Sequence, residues 1–94
     1  GLVLAPLTDA TREEFDIPTG ASGVVVADVE DMSESASKRL LPGDVIIEIN
    51  QQEVKSPEDA ADIFEKAQRA KRSSVLLLVN RDGDRRFFAL KLEN

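Results

Sequence analysis

The sequence predicts a small α+β domain, a partly open β-barrel or sandwich of five to six strands with one main helix and one or two minor helices. Short runs rich in β-branched and apolar residues predict the strands, because such side chains pack well on a buried, pleated surface. One capped stretch with apolar residues at helical spacing predicts the main helix. The predicted strands cover residues 1–5, 24–29, 45–49, 53–54, 75–79 and 86–92.

Length and hydropathy fit one globular domain over residues 1–94. The chain has 94 residues, of which 41% are hydrophobic, as in ordinary globular proteins. No apolar run approaches the roughly 18 residues that cross a bilayer, so we predict no membrane insertion. The N-terminal residues lack the pattern of a signal peptide, and we expect any export signal to lie on a longer parent chain.

Charge and missing residue types exclude several kinds of site. The net charge is −6, which argues against nucleic acid or an anionic membrane as a partner. The chain has no cysteine, so the redox compartment stays open. It also has no histidine, so neither a Ser-His-Asp triad nor a histidine-ligated zinc site can form. We predict no catalytic residue, no metal and no cofactor in this chain.

The first strand and the first helix are predicted from a proline and a threonine. Pro6 is expected to end the strand 1–5, because it lacks the N–H that a strand ladder uses. Thr8 is a good N-cap for a short helix over 9–15, with Arg12 on its exposed face. The next residues, 16–23, are dense in Gly, Pro, Ser and Thr and predict a loop.

Pro42-Gly43 predicts a turn immediately before the apolar strand 45–49. Asp44 stands at the junction, where its carboxylate can accept backbone N–H groups and stiffen the loop. The strand is apolar and β-branched almost throughout, which is typical of a central strand. We therefore expect at least one of Ile46 and Ile47 to be fully buried.

The main helix has the strongest start signal in the chain. Ser56 caps it, Pro57 fits its first turn, and Asp59 can complete a capping box. Apolar residues then follow at positions i, i+3, i+4 and i+7, namely Ala60, Ile63, Phe64 and Ala67.

A second minor helix is predicted over 35–40. Further on, Asp82-Gly83 predicts a hairpin between the strands 75–79 and 86–92. In the returning strand, alternate residues share one face, namely Phe88, Leu90 and Leu92.

Three of these features together resemble the core of a PDZ domain: the run Leu40-Leu41-Pro42-Gly43-Asp44-Val45-Ile46, the following Ile49-Asn50 and the Ser56-Pro57 helix start. The likeness is to the bacterial type found behind the protease domain of HtrA/Do (DegP-like) serine proteases, plausibly the second, C-terminal PDZ domain, and it covers nearly the whole chain. One departure is Arg39, which stands where the family's pattern has a glycine at the end of a short helix.

The resemblance implies a peptide groove along the first strand. In the family, a loop ending in glycine and an apolar residue holds a peptide's terminal carboxylate, and the next strand pairs with the peptide. Gly1 and Leu2 match the end of that loop, Val3 continues the strand, and Leu2 and Leu4 are expected to point into the groove. The residue expected before Gly1 is absent, so we expect the carboxylate loop to be truncated. The plainer alternative is an ordinary edge strand.

The resemblance also implies that the main helix forms the opposite wall of the groove. The matching positions are Pro57, Ala61 and Phe64, and the core would then receive Ala60, Ile63 and Ala67. The alternative for Phe64 is burial in the core, the commoner position for a helical aromatic residue. Pro57 replaces a histidine that many eukaryotic PDZ domains use to select Ser or Thr, which implies a generic apolar preference.

Acidic residues in two loops could in principle bind calcium. Neither loop has the spacing of a calcium-binding loop, so solvated surface charge is the better interpretation. These residues are Glu30, Asp31 and Glu34 in one loop and Asp82 and Asp84 in the other.

The resemblance implies a non-catalytic module of a periplasmic serine protease. Its expected partners are extended or C-terminal apolar segments of unfolded proteins, or other domains and subunits of the parent protease. Two alternatives remain open at this stage. The chain could be a structural oligomerisation domain with an unused groove, or a PDZ domain of a different membrane-associated or C-terminal processing protease.

Overall fold

The structure, a computed structural model, describes residues 2–30 and 40–92. These residues form an antiparallel sheet of six strands and two helices, which confirms the predicted α+β class. Most of residues 35–40, including Arg39, lie outside the described residues, and so does the helix predicted there. The strands are β1 (Leu2–Pro6), β2 (Val24–Val29), β3 (Val45–Ile49), β4 (Gln52–Glu53), β5 (Ser74–Arg81) and β6 (Asp84–Lys91); the helices are α1 (Asp9–Glu14) and α2 (Pro57–Arg69).

The sheet is open and has β1 and β6 as its two edges. Its strand order is β1-β2-β3-β5-β6, and the short β4 pairs with β3 beside this path. All pairs are antiparallel. Short turns join β3 to β4 and β5 to β6, longer segments join β1 to β2 and β2 to β3, and the β4–α2 segment carries the chain across to β5.

The main core lies between the sheet and α2. Val24, Val26 and Ile46 are fully buried there, whereas Val25 points to the other face. On that face Val25 packs with Ile17 and Val45 in a second, smaller core. Strand β2 is therefore buried on both faces, which explains why its sequence is β-branched without polar alternation.

The strand β3 confirms the expectation of a central strand. Ile46 is fully buried, while Ile47 keeps part of its surface exposed. Gly23 permits the close approach of β2 to this strand, since a Cβ at that position would lie 2.2 Å from the carbonyl oxygen of Ile46. Its φ of +134° is also one that other residues rarely adopt.

The predicted boundaries at β1 and β4 were wrong by one residue. Pro6 belongs to β1, because an edge strand can place a proline where no ladder N–H is needed. The return strand covers Gln52–Glu53, whereas Val54 leaves it and is buried. The Val54 amide still donates to the Ile47 carbonyl oxygen of β3 at 3.1 Å, while its side chain enters the main core.

Helix α1 confirms the cap at Thr8, whose side chain accepts from the Thr11 amide. It ends at Glu14, and Phe15 is its C-cap residue. The expectation that Arg12 lies on a solvated face was wrong. Its guanidinium donates to the carbonyl oxygens of Pro18 (2.7 Å) and Ala21 (2.8 Å) and so holds the loop after the helix.

Helix α2 begins as predicted, with Ser56 accepting from the Asp59 amide at 3.1 Å. The reciprocal bond of the expected capping box is displaced by one residue. The Asp59 carboxylate accepts from the Lys55 amide at 3.0 Å, and it does not bond the amide of the cap residue Ser56. The first bond satisfies an amide that the helix start leaves without a partner, and the second fixes the residue before the cap.

The hairpin of β5 and β6 is longer than predicted. Its eight pairs run from Ser74 opposite Lys91 to Arg81 opposite Asp84, so polar residues extend the ladder up to the turn. Asp82 and Gly83 both have positive φ, as a two-residue hairpin turn of this kind requires. The Asn80 side chain accepts from the Gly83 amide and closes the turn.

Candidate functional site

The two elements that carry the predicted groove residues, β1 and α2, are neighbours. Helix α2 lies beside β1, and the half-buried side chains of Leu2, Leu4 and Phe64 all pack against the main core. Val3 alternates with these leucines and is 46% exposed. Gly1 lies outside the described residues.

One side of β1 has no strand partner among residues 2–30 and 40–92. The other side pairs with β2, from Leu2 opposite Val29 to Pro6 opposite Val24. The register shifts between Val3 and Leu4, which marks a bulge. An edge of this kind presents backbone N–H and C=O groups that an extended peptide can pair with.

The core face of α2 is the one predicted, because Ala60, Ile63 and Ala67 are buried. Phe64 contacts the core but stays partly exposed, so it belongs to both the core boundary and the surface beside β1. Pro57 is half-buried and Ala61 is exposed. The side chains predicted for this wall are uncharged, and an apolar peptide side chain could rest on them without stranding a buried charge.

A buried ion pair was missed by the sequence analysis. Asp44 is 2% exposed, and its two carboxylate oxygens accept from Arg81 Nε and from an Arg81 terminal nitrogen, each at 2.7 Å. The same carboxylate also accepts from the Leu41 amide at 2.9 Å, which confirms the predicted loop contact. The hydrogen bond to Asp44 raises the pKa of Arg81 above its usual value. A buried carboxylate needs a cation, but the sequence alone offered twelve candidates.

This ion pair joins the start of β3, just after the Pro42-Gly43 turn, to the last residue of β5, across a large sequence separation. The Arg81 guanidinium also lies over the Phe88 ring, 5.7 Å from its centre, and so packs on the core side of β6. The pair is a structural brace with no reacting group nearby among the described residues.

A cleft of about 530 Å³ lies on another side of α2 and shares no residue with the predicted groove. Its wall combines Ile63, Ala67 and Leu76 with the cationic side chains of Lys66 and Arg72. The turn residues Asn50, Gln51 and Gln52, with Ala70, complete the lining. No part of the sequence analysis pointed to it, because it forms only where the β3–β4 turn meets the end of α2.

The described residues show no cluster of three or more acidic, histidine or cysteine side chains able to hold a metal ion. Glu30, Asp82 and Asp84 are exposed, and Asp31 and Glu34 lie outside the described residues. In the same part of the chain, none of the helices combines the length and apolarity needed to span a membrane.

Comparison with known protein families gives a match over residues 2–92 to the family described as "PDZ domain". Two curated relatives are named "Probable periplasmic serine endoprotease DegP-like". The one from Bartonella henselae is 36% identical over 90% of this chain, and the one from Chlamydia pneumoniae is 31% identical over 99% of it. The chain spans only 18% of the length of each of these relatives.

Solved structures share the fold. One described as "HtrA-type protease AlgW with decapeptide" is 27% identical, with a TM-score of 0.80 over 97% of this chain and 27% of its own. Another, described as "Crystal Structure of the HtrA3 PDZ Domain Bound to a Phage-Derived Ligand (FGRWV)", has a TM-score of 0.75 at 24% identity, and covers 97% of this chain and 80% of its own. At that identity, the second likeness shows the fold alone.

Proposed function

The chain belongs to the PDZ domain family, and we propose that it is a peptide-binding module of a periplasmic, DegP-like serine protease. PDZ domains are non-catalytic, so cleavage would belong to another part of the parent protein. The observation that carries the proposal is the uncharged edge of β1 beside the apolar surface of α2. Its ligand is an extended apolar segment, either internal or at a C-terminus.

Binding would add the peptide as a further strand beside β1. The backbone groups of Leu2–Pro6 that face away from β2 supply hydrogen bonds and therefore bind any extended sequence. Side chains of the peptide supply preference, because alternate ones would rest against Leu2, Leu4 and Phe64. Pro57 and Ala61 complete a wall without charge. Gly1 would permit close approach of a terminal carboxylate.

The comparisons support a peptide as the ligand. AlgW is described with a decapeptide and the HtrA3 PDZ domain with the peptide FGRWV, and both share this fold. We extend the same kind of ligand to this chain. The names of the curated relatives support the periplasm as its compartment. Its place as the second, C-terminal PDZ domain of the parent stays a prediction.

The test is an NMR titration of the domain, extended by several residues upstream of Gly1, with peptides that end in apolar residues. We expect backbone amide shifts over Leu2–Leu4 and Pro57–Gln68. Phe64→Glu should abolish binding, because it places a charge where an apolar side chain must dock. Leu76→Glu is the matched control, since it makes the same kind of change in the cleft on another side of α2.

Two results would contradict the proposal. One is saturable binding that maps to Glu30–Glu34 and not to β1. The other is a domain that binds none of these peptides but self-associates through the β1 edge, which would instead support a structural oligomerisation role. Sedimentation analysis of the peptide-free domain separates this second case from simple loss of the groove.

A further inference from the structure

Strand β6 forms the second edge of the sheet and carries an exposed aromatic residue. Its eight residues, Asp84–Lys91, pair only with β5 among the described strands. Phe87 is 66% exposed, the largest value among the exposed large hydrophobic residues. An aromatic side chain left in water on a free edge is the kind of residue that anchors a partner.

The residues that share the outer face with Phe87 are basic or small. Because side chains alternate along a strand, Arg85, Phe87, Ala89 and Lys91 point to one face, away from the buried Leu90. Neither Arg85 nor Arg86 makes a side-chain ion pair or hydrogen bond with another described residue. Both guanidinium groups are therefore available to an added carboxylate.

Strand β6 itself is basic, because it carries Arg85, Arg86 and Lys91 against one acidic residue, Asp84. The chain as a whole nevertheless has a net charge of −6. A basic edge on an acidic domain selects acidic partners and repels other acidic surfaces, including most of this domain's own.

We propose that the β6 edge is a second docking site, which binds an extended peptide segment with acidic residues on either side of apolar ones at alternate positions. A strand added to β6 would place one acidic residue beside Arg85 and another beside Lys91. Two apolar residues between them would lie beside Phe87 and Ala89. This spacing follows from the period of two along a strand and from cross-strand pairing of opposite charges. The site is independent of the groove at β1.

Edge strands also carry basic residues simply to prevent aggregation, so the test must separate attraction from protection. The probe is the peptide Asp-Thr-Val-Thr-Val-Thr-Asp, blocked at both ends so that it offers no terminal carboxylate. Its counterpart has lysine in place of both aspartates. Each is titrated into the 94-residue domain at low ionic strength, and backbone amide shifts are followed by NMR.

We expect the acidic peptide to shift the amides of Asp84–Lys91 and to bind about tenfold more tightly than the basic one, since two charge pairs are each worth about two- to fivefold. Phe87→Ser should weaken binding about fivefold.

Arg85→Glu should shift the preference toward the basic peptide. Lys55→Glu makes the same charge reversal on the loop before α2 and should leave the preference intact. Phe64→Glu should also leave β6 binding intact, which separates this site from the groove.

Three outcomes would contradict the proposed docking site. The two peptides could bind with equal affinity, or the amide shifts could be confined to Leu2–Pro6 and α2. The third is no amide shift at about 1 mM peptide, the limit of weak specific binding. An equal loss in Arg85→Glu and Lys55→Glu would also overturn it, because it would show a general charge effect. In that event the basic residues of β6 serve only to keep the edge unpaired.

Discussion

The two edges of the sheet differ in charge and in how their strands are protected. Leu2–Pro6 of β1 contains no charged residue, whereas β6 carries Arg85, Arg86 and Lys91. Basic side chains are an ordinary protection against unwanted strand pairing. The uncharged β1 edge lacks this protection, and only the register shift against β2 and the neighbouring helix α2 lie beside it in the described part of the chain. An edge kept free of charge in this way suits a role in binding peptides.

The edges also differ in how firmly they are attached. Strand β6 is joined to β5 by eight pairs in one hairpin. Strand β1 reaches the rest of the sheet through β2, which pairs with β3 at Val24–Ile46 and Val25–Val45 and is bonded through Val26 to the turn before β3. Local opening should therefore be easier at the β1 edge, because fewer pairs hold it to the rest of the sheet.

The largest expected effect lies at the centre that both edges share. Ile46→Ala should lower the free energy of unfolding by about 2–5 kcal/mol, from lost burial plus the cavity left behind. Ile47→Ala should cost less, because that side chain is already partly exposed. Chemical denaturation of both variants measures the difference. A cost below about 1 kcal/mol for both would place β3 at the periphery of the fold.

Loss of Arg81 should lower the free energy of unfolding more than loss of Asp44. Arg81→Met leaves a carboxylate that is 2% exposed without its cation and should cost about 3 kcal/mol. Asp44→Asn should cost about 1–2 kcal/mol, since the Arg81 side chain is 21% exposed and can reach water. Denaturant midpoints of the two variants test the order. The reverse order would mean that the Leu41 contact, and not the ion pair, is the stronger role of Asp44.

Gly23→Ala should affect the β1 edge more than the β6 edge. The added Cβ would meet the Ile46 carbonyl oxygen, so β2 must move from β3 at a cost of about 1–3 kcal/mol. Amide hydrogen exchange should then accelerate over Leu2–Pro6 and change little over Asp84–Lys91. Gly20→Ala is the matched control, because nothing lies within 4 Å of its added Cβ. Equal acceleration at both edges would contradict the difference in attachment.

The smallest effect is expected for Phe87→Ser. Phe87 is mostly exposed already, so its loss should change the free energy of unfolding by at most about 0.5 kcal/mol. Phe88→Ser is the comparison on the same strand, and it should cost more because Phe88 packs against the main core. Thermal unfolding of both variants measures this. A large loss of unfolding free energy in Phe87→Ser would show that Phe87 stabilises the fold itself. A role in docking would then not be needed to explain an aromatic residue at this position.

The sequence by itself determined the features that depend on neighbouring residues. The caps at Thr8 and Ser56, the Asp82-Gly83 turn and the bounds of β2 and β3 are all as predicted. Each depends on hydrogen bonds or φ preferences within a few residues, or on an unbroken β-branched run. The core face of α2 also followed, because helical spacing alone assigns it.

Only the tertiary structure decided the features that join distant parts of the chain. Asp44 could have paired with any cation, and the ladder between β3 and β5 brought Arg81 to it. Arg12 is partly buried because its guanidinium donates to the loop carbonyl oxygens of Pro18 and Ala21. The strand order likewise made β6 the second edge beside the expected edge β1, since which strands stay unpaired depends on the closure of the whole sheet and not on any local pattern.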